Sequence, residues 1–238
     1  MTTTTVHAAG ATTTSPDAVR TARTTGLLYL ALAITGAVGF QLIRGLLFVP
    51  DSPDGTLANL TSQEPLARVG VVVEMGIVLS QALVALWFFR LFRRVDSVAA
   101  ASIATFGTVN AVAILGSAAL LATALDLALD ASLVPGGAAA AVQSLYLVSG
   151  HLWTIGGIFF GLWLIPMGRL VLRSGWMPGA LGWILVVGGV GYVLSAFAAY
   201  LVPGAGAWVD VLALPATVGE LWMIGYLLVR GVRRSRAS

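Results

Sequence analysis

The chain has 238 residues, of which 58% are hydrophobic and only 10% carry a charged side chain. A water-soluble domain carries about 25% charged residues, so this composition excludes a surface that faces water on all sides. The absence of cysteine excludes disulfides, thiolate nucleophiles and cysteine metal sites. The net charge of +3 comes from arginines scattered at the ends of apolar runs, and this distribution differs from the basic face of a nucleic-acid-binding protein.

The chain begins with a segment rich in threonine and alanine that lacks the apolar periodicity needed for packing. We therefore predict that residues 1–19 form a disordered cytoplasmic tail. A signal peptide is not expected, since the first apolar run is too long and no basic region directly precedes a short apolar core.

Six apolar runs follow, each long enough to cross roughly 30 Å of hydrocarbon at about 1.5 Å per residue. The predicted transmembrane helices cover residues 26–49, 69–89, 97–125, 142–165, 180–202 and 211–229. Between the first two runs, Thr61-Ser62-Gln63-Glu64 has the pattern of a capping box and predicts a short surface helix. The fold class predicted is all-α, a polytopic six-helix bundle over residues 20–232 with a basic cytoplasmic tail at 233–238. Buried helices of a soluble protein would also be apolar, but six correctly flanked runs of this length make that alternative improbable.

The charges at the ends of these runs alternate between two sides. Arginines collect at one side, whereas the other side has Arg68 and a set of acidic residues: Asp51, Asp54, Glu64, Asp126, Asp130 and Asp210. The positive-inside rule then predicts that both termini are cytoplasmic. The lack of lysine and the abundance of alanine, glycine and valine are typical of a high-GC bacterial genome.

Two ionisable residues are predicted near the middle of the membrane, where an unpaired charge costs about 2.5 kcal/mol or more. Glu220 lies about nine residues from either end of the last run, and His151 about nine residues into the fourth. Each has two interpretations, a ligand- or proton-binding group in a polar cavity, or a hydrogen-bonding group between helices. For His151 the second is favoured, because interhelical hydrogen bonds of histidine are ordinary in membranes. A lone histidine is also a poor metal site. Asn110, with Gln41 and Gln81, is expected to add interhelical hydrogen bonds.

Arg44 and Glu74 form the other candidate pair. Each lies about five residues from the outer end of its span, so a hairpin of the first two helices would bring them to one depth. One interpretation is an ion pair that fixes the register of the hairpin. The other is an outward-facing site for an anion or headgroup, with Arg44 as its anchor.

Motifs of phosphate-binding loops, zinc proteases and serine hydrolases are absent from the sequence. No catalytic residue, metal site or cofactor is therefore predicted. An enzyme is the least favoured class, because no pair of nucleophile and base is visible.

Several stretches resemble domain-of-unknown-function family 4386, a family of six-span bacterial membrane proteins. They are Arg23–Leu30 (RTTGLLYL, with one extra threonine), Gly161–Gly188 (GLWLIPMGRLVLRSGWMPGALGWILVVG), and Pro215 with Gly219-Glu220. His151, Arg44 and Glu74 fall at polar positions expected of the family. The long third span and its acidic end at Asp126 and Asp130 have no match. The resemblance implies a six-helix inner-membrane protein and supplies no activity.

Two functions remain open at this point. In the first, Glu220, His151 and Asn110 line a polar cavity that binds or transports a small or lipid-like ligand. In the second, the same groups only hold the helices of a structural or interaction protein together. The expected partners are membrane lipids and such a ligand, with no nucleic acid; the composition does not determine the oligomeric state.

Overall fold

The computed structural model describes residues 16–134, 136–202, 204 and 206–232, and their regular structure is entirely helical. The helices are α1 (Pro16–Gly36), α2 (Arg44–Leu47), α3 (Pro53–Ser62), α4 (Glu64–Phe92), α5 (Ser97–Leu129), α6 (Ala138–Ser174), α7 (Gly179–Leu201) and α8 (Gly206–Val229). A π-helical segment, Ala37–Ile43, joins α1 to α2, and a short 3-10 turn, Ala131–Leu133, follows α5. The predicted all-α class is confirmed.

Six helices are long and apolar enough to cross a membrane: α1 continued through the π-helical segment and α2, then α4, α5, α6, α7 and α8. Many of their large apolar side chains face outward, among them Leu79, Val112 and Trp183, each more than 60% exposed. Such a surface is stable against lipid and not against water. The chain is a multi-pass membrane protein.

The six long helices form a closed ring in chain order. Each helix from α4 to α7 packs against the next one along the chain, and α1 closes the ring by packing against both α4 and α8. The α6 span is the most buried of the six. Its Trp163 reaches the middle of the ring, where it meets Tyr29 of α1 and Phe88 of α4 edge to face, with ring centroids 5.5 and 6.0 Å away.

The apolar interior is divided into two clusters, one toward each membrane face. The larger cluster is built around Tyr29, Phe88, Phe92, Trp163, Met167, Leu181 and Leu227. The smaller one contains Ile43, Leu47, Leu60, Leu121, Leu125, Val142 and Tyr146. Along α4, α5 and α6, the buried polar residues Glu74, Ser117 and Ser149 lie between residues of the two clusters.

Side chains near the two ends of the bundle connect its loops. On one face, Phe92 stacks on Trp176, whose carbonyl accepts a hydrogen bond from Tyr226. On the other face, Gln143 donates to the carbonyl oxygens of Val49 and Pro50. All described arginines except Arg44 and Arg68 belong to helix ends on the first face, which we call the arginine-rich face.

Several helix boundaries differ from those expected, among them the start of α1 and the end of α6. Helix α1 begins at Pro16, so residues 16–19 are helical, and the remainder of the predicted tail, like residues 233–238, lies outside the described residues. Proline suits the first turn of a helix because its missing N–H would have no partner there. Helix α6 continues through Pro166 to Ser174 and ends at Gly175, whose φ of 64° is the left-handed conformation typical of helix ends.

The capping-box prediction is wrong, although a short helix is present. Its N-cap is Ser52, whose Oγ accepts a hydrogen bond from the N–H of Gly55 at 3.0 Å. Thr61 and Ser62 instead end α3, and their hydroxyls donate to carbonyls of their own helix. The sequence Pro53-Asp54 just after Ser52 is an equally good start signal, since proline and an acidic residue both favour the first helical turn.

Candidate functional site

A π-helical segment positions Arg44 in the first span. The wider turn over Ala37–Ile43 places one more residue in the helix than α-helical geometry would, which rotates every later side chain about the axis. Arg44 is the first residue after this segment, and its half-buried side chain points between α5 and α6. Glycines at 36, 39 and 45 lower the helix propensity here, which makes the irregular turn less costly.

The guanidinium of Arg44 is held by α6 and by three aromatic rings. It donates to the Ser149 hydroxyl at 2.8 Å and to the carbonyl of Tyr146. Its central carbon lies 5.5 Å from the ring centroids of Phe40 and Tyr146 and 5.6 Å from that of Phe48. Hydrogen bonds and cation–π contacts together replace part of the hydration that a cation loses in the membrane.

Two serine hydroxyls connect Arg44 to Glu74. The Ser149 and Ser117 oxygens are 2.7 Å apart, and Ser117 donates to Oε2 of Glu74 at 2.9 Å. The other carboxylate oxygen accepts from the Trp153 indole at 3.2 Å. Because Ser117 gives its only proton to Glu74, Ser149 is the donor to Ser117, and both hydroxyls are oriented from the cation toward the carboxylate.

The predicted ion pair is therefore bridged and not direct. Among the described residues, no nitrogen of Arg44 lies within 4.0 Å of an oxygen of Glu74. Both side chains instead line one cavity of about 10 Å³, walled by α2, α4, α5 and α6 and including Tyr146 and Gly70. A volume near 10 Å³ is about the minimum that accommodates a water molecule. We call the five residues Arg44, Ser149, Ser117, Glu74 and Trp153 the polar relay.

Burial makes the polar relay energetically demanding. Glu74 is only 2% exposed, and both serines are fully buried. Opposite charges offset one another's desolvation only when their remaining hydrogen-bonding groups are satisfied. Both carboxylate oxygens have a donor here, whereas two bonds use only part of the five N–H groups of a guanidinium.

The structure places Glu220 and His151 in different environments. Glu220 of α8 accepts a hydrogen bond from the hydroxyl of Tyr29 in α1, next to the aromatic core at Trp163. His151 of α6 is exposed, and its Nδ1 pairs with the hydroxyl of Tyr200 in α7 at 2.8 Å. The two residues therefore have separate partners on different pairs of helices.

The three amides behave differently from the prediction of interhelical hydrogen bonds. None of Gln41, Gln81 and Asn110 makes a side-chain hydrogen bond within the described part of the chain. Gln41 is exposed to the lipid side, whereas Gln81 is fully buried and both of its amide atoms lack partners. Asn110 is buried and faces Gly156 on α6. Helical spacing alone could not predict these outcomes, because it leaves the amide rotamer undetermined.

The family model for a domain of unknown function, DUF4386, matches residues 24–231. This chain belongs to the DUF4386 family. The resemblance seen in the sequence is confirmed, and it extends over nearly all of the membrane-spanning part. No curated protein and no solved structure matches the chain.

In this DUF4386 member, sequence reasoning missed Tyr146 and Trp153 and gave the serines no role. A signal was present on α6, because Tyr146, Ser149 and Trp153 follow one another at spacings of three and four and so share a helical face. His151, two residues from Ser149, points about 200° away from that face. The ionisable His151 thus drew attention away from the buried face of α6, which carries the residues of the polar relay.

The described part of this DUF4386 protein contains no group of three His, Asp or Glu side chains placed to hold a metal ion. What the polar relay offers is a fixed cation and a fixed anion beside one small cavity. That arrangement can bind a polar group between the two charges, or it can join four helices.

Proposed function

We propose that this DUF4386 membrane protein binds a small polar ligand within its bundle, with Arg44 holding an anionic group and Glu74 providing the opposite charge. The separation of Arg44 from Glu74 is the observation that carries this proposal. A pair serving only to neutralise two buried charges gains most from direct contact. Here two hydroxyls hold the charges apart, and both charged residues line a cavity.

The electrostatics of the cavity favour an anion bound at Arg44. The guanidinium has unused N–H groups, and its planar fork suits a carboxylate or phosphate. Both Glu74 oxygens already accept hydrogen bonds, so its charge is stabilised without the ligand. A ligand that also carries an N–H or O–H group could use the remaining lone pairs of Glu74, which would make the site selective for small amphoteric molecules.

The size of the cavity determines how a ligand would enter. A volume of about 10 Å³ accepts a water but no larger molecule, so binding requires a movement of the helices around the site. The π-helical segment beside Arg44 is suited to that movement, since π turns are frequent at functional sites and carry weaker regular bonding. Transport would add alternate opening to the two faces, as in membrane transporters whose sites lie inside the bundle.

We further propose a bacterial inner-membrane location with both termini in the cytoplasm. The arginine-rich face supports this orientation through the positive-inside rule. An even number of spans is consistent with both termini on that face.

A structural role is the second candidate, and the separate partners of Glu220 and His151 favour it. Each of these residues joins two helices through a tyrosine hydroxyl, as expected for groups that only hold a bundle together. Under this alternative the polar relay would do the same for α2, α4, α5 and α6.

Binding can be separated from a structural role by thermal unfolding of the purified full-length protein in detergent. The probes are acetate, phosphate, glycine and taurine, applied to the wild type and to Arg44→Gln. The proposal expects at least one probe to raise the unfolding temperature of the wild type and to have no effect on Arg44→Gln. His151→Gln is the matched control and should keep the shift. If a folded Arg44→Gln protein responds to every probe as the wild type does, the proposal fails.

A further inference from the structure

A second cleft lies at the arginine-rich face, remote from the polar relay. It is formed where the last turns of α6 meet the start of α5 and has a volume of about 380 Å³. That volume is within the range of roughly 300–1,000 Å³ of small-molecule sites. The residues lining it are Asp96, Ala99, Arg169, Leu170, Leu172 and Arg173.

The acidic residue of the cleft is already occupied by other groups. Oδ1 of Asp96 accepts from the backbone N–H groups of Val98 and Ala99, each at 3.1 Å, and so caps α5. Oδ2 accepts from Arg173 at 2.6 Å. The N–H of Ala99, with help from the charge of Arg173, lowers the pKa of Asp96, which therefore stays ionised as a fixed support for Arg173.

Arg169 has no such partner. Within the described part of the chain it makes no hydrogen bond and no ion pair, and its side chain is exposed in the cleft. It lies four residues before Arg173 on the same helical face, where like charges repel. The cleft therefore has two cations and one committed carboxylate, which leaves a net charge of about +1 for a bound anion.

The surroundings favour an anion attached to a lipid. Leu172 provides a partly exposed apolar wall beside the two guanidinium groups, and Leu170 lies buried beneath it. The cleft also lies near the end of a membrane-spanning helix, within the last two turns of α6 before Gly175. Basic pockets between transmembrane helices at this level bind anionic headgroups, and guanidinium groups bind phosphate oxygens in a bidentate manner.

We propose that the cleft formed by Asp96, Arg169 and Arg173 binds the phosphate of an anionic phospholipid. Arg169 contacts the phosphate directly, while Asp96 orients Arg173 toward the same group. The partly exposed side chain of Leu172 contacts the glycerol and the first carbons of the acyl chains. The site is independent of ligand binding at the polar relay.

The test is a titration of the purified full-length protein in a zwitterionic detergent with dihexanoylphosphatidylglycerol. Dihexanoylphosphatidylcholine and sodium phosphate are titrated in parallel, to separate an anionic lipid from a zwitterionic lipid and from free phosphate. Arg169→Gln is compared with Arg94→Gln, which removes the same charge from an exposed position on the same face. Both substitutions are at exposed sites, so folded protein is expected in each case.

We expect phosphatidylglycerol to bind the wild type and Arg94→Gln with similar dissociation constants, and Arg169→Gln about tenfold more weakly. Phosphatidylcholine and phosphate should bind at least tenfold more weakly than phosphatidylglycerol. Equal losses in the two variants would mean that only the overall charge matters, and the proposal would be overturned. Phosphate binding as tight as that of phosphatidylglycerol would overturn the assignment to a lipid.

Discussion

At the scale of single residues, the orientation of two hydroxyls determines how Arg44 and Glu74 interact. Ser149 accepts a hydrogen bond from Arg44 and donates to Ser117, because Ser117 gives its own proton to Glu74. Aligned hydroxyl dipoles of this kind favour positive charge at one end and negative charge at the other. The arrangement thus supports both ions in a region where either one alone would be costly.

Removing one hydroxyl should therefore destabilise the protein. Ser117→Ala leaves Ser149 without an acceptor and Glu74 with only the Trp153 indole, so we expect the free energy of unfolding to fall by about 1–3 kcal/mol. Unfolding in detergent, followed by tryptophan fluorescence, measures the change. Ser80→Ala is the matched control, because this buried hydroxyl donates only to carbonyls of its own helix, and its loss should cost much less. Equal stability of the two variants would contradict a functioning relay.

At the scale of helices, the sequence predicts which segments cross the membrane because that depends on a sum over many residues. Apolar runs of about twenty residues with arginines at one end leave little choice of structure. The bridging of Arg44 and Glu74 depends instead on the rotation of each helix about its axis. The π-helical segment adds one residue to the helix and so rotates the side chain of Arg44 about the helix axis. Because the sequence gives only a weak signal for such a segment, equal depth in a hairpin suggested a direct ion pair of Arg44 with Glu74.

Depth along a helix was likewise a poor guide to the site. Glu220 and His151 attract attention because they lie near the middle of their spans, yet neither belongs to the polar relay. Membership of the relay follows from the face that a helix buries, which can be recognised only when its neighbours are known. The order in which the helices pack, with α6 the most buried of the six spans, supplies that information.

Close contact between α7 and α8 is the helix-scale feature most open to test. A Cβ atom at Gly188 would lie 2.5 Å from the backbone nitrogen of Ala216, a clash that no side-chain rotation can relieve. We expect Gly188→Ala to separate the helices and to lower the free energy of unfolding by about 1–3 kcal/mol. Gly225→Ala, in α8 with open space around its Cα, should be neutral or stabilising by up to about 1 kcal/mol. A Gly188→Ala protein as stable as Gly225→Ala would show that the contact is not close.

At the scale of the whole molecule, the closed ring separates two faces of opposite character. The arginine-rich face contains the proposed phospholipid cleft, and the opposite face carries α3 and the acidic loop residues. The polar relay lies between the two apolar clusters, about 15 Å along α4 from the start of that helix. A ligand would therefore reach Arg44 by the shorter route from the acidic face, which is the outer face of the cell membrane in the proposed orientation.

The absence of cysteine allows the orientation to be measured without background labelling. Ser62→Cys places a thiol at the exposed end of α3, and Ser97→Cys places one at the exposed start of α5 on the arginine-rich face. If the arginine-rich face is cytoplasmic, a membrane-impermeant maleimide applied to intact cells labels the first variant and reaches the second only after permeabilisation. The reverse pattern would invert the molecule and put Arg44 on the cytoplasmic route. Labelling of both variants in intact cells would contradict the predicted orientation. The two positions lie on opposite faces of the bundle, so an impermeant reagent applied outside can reach only one of them.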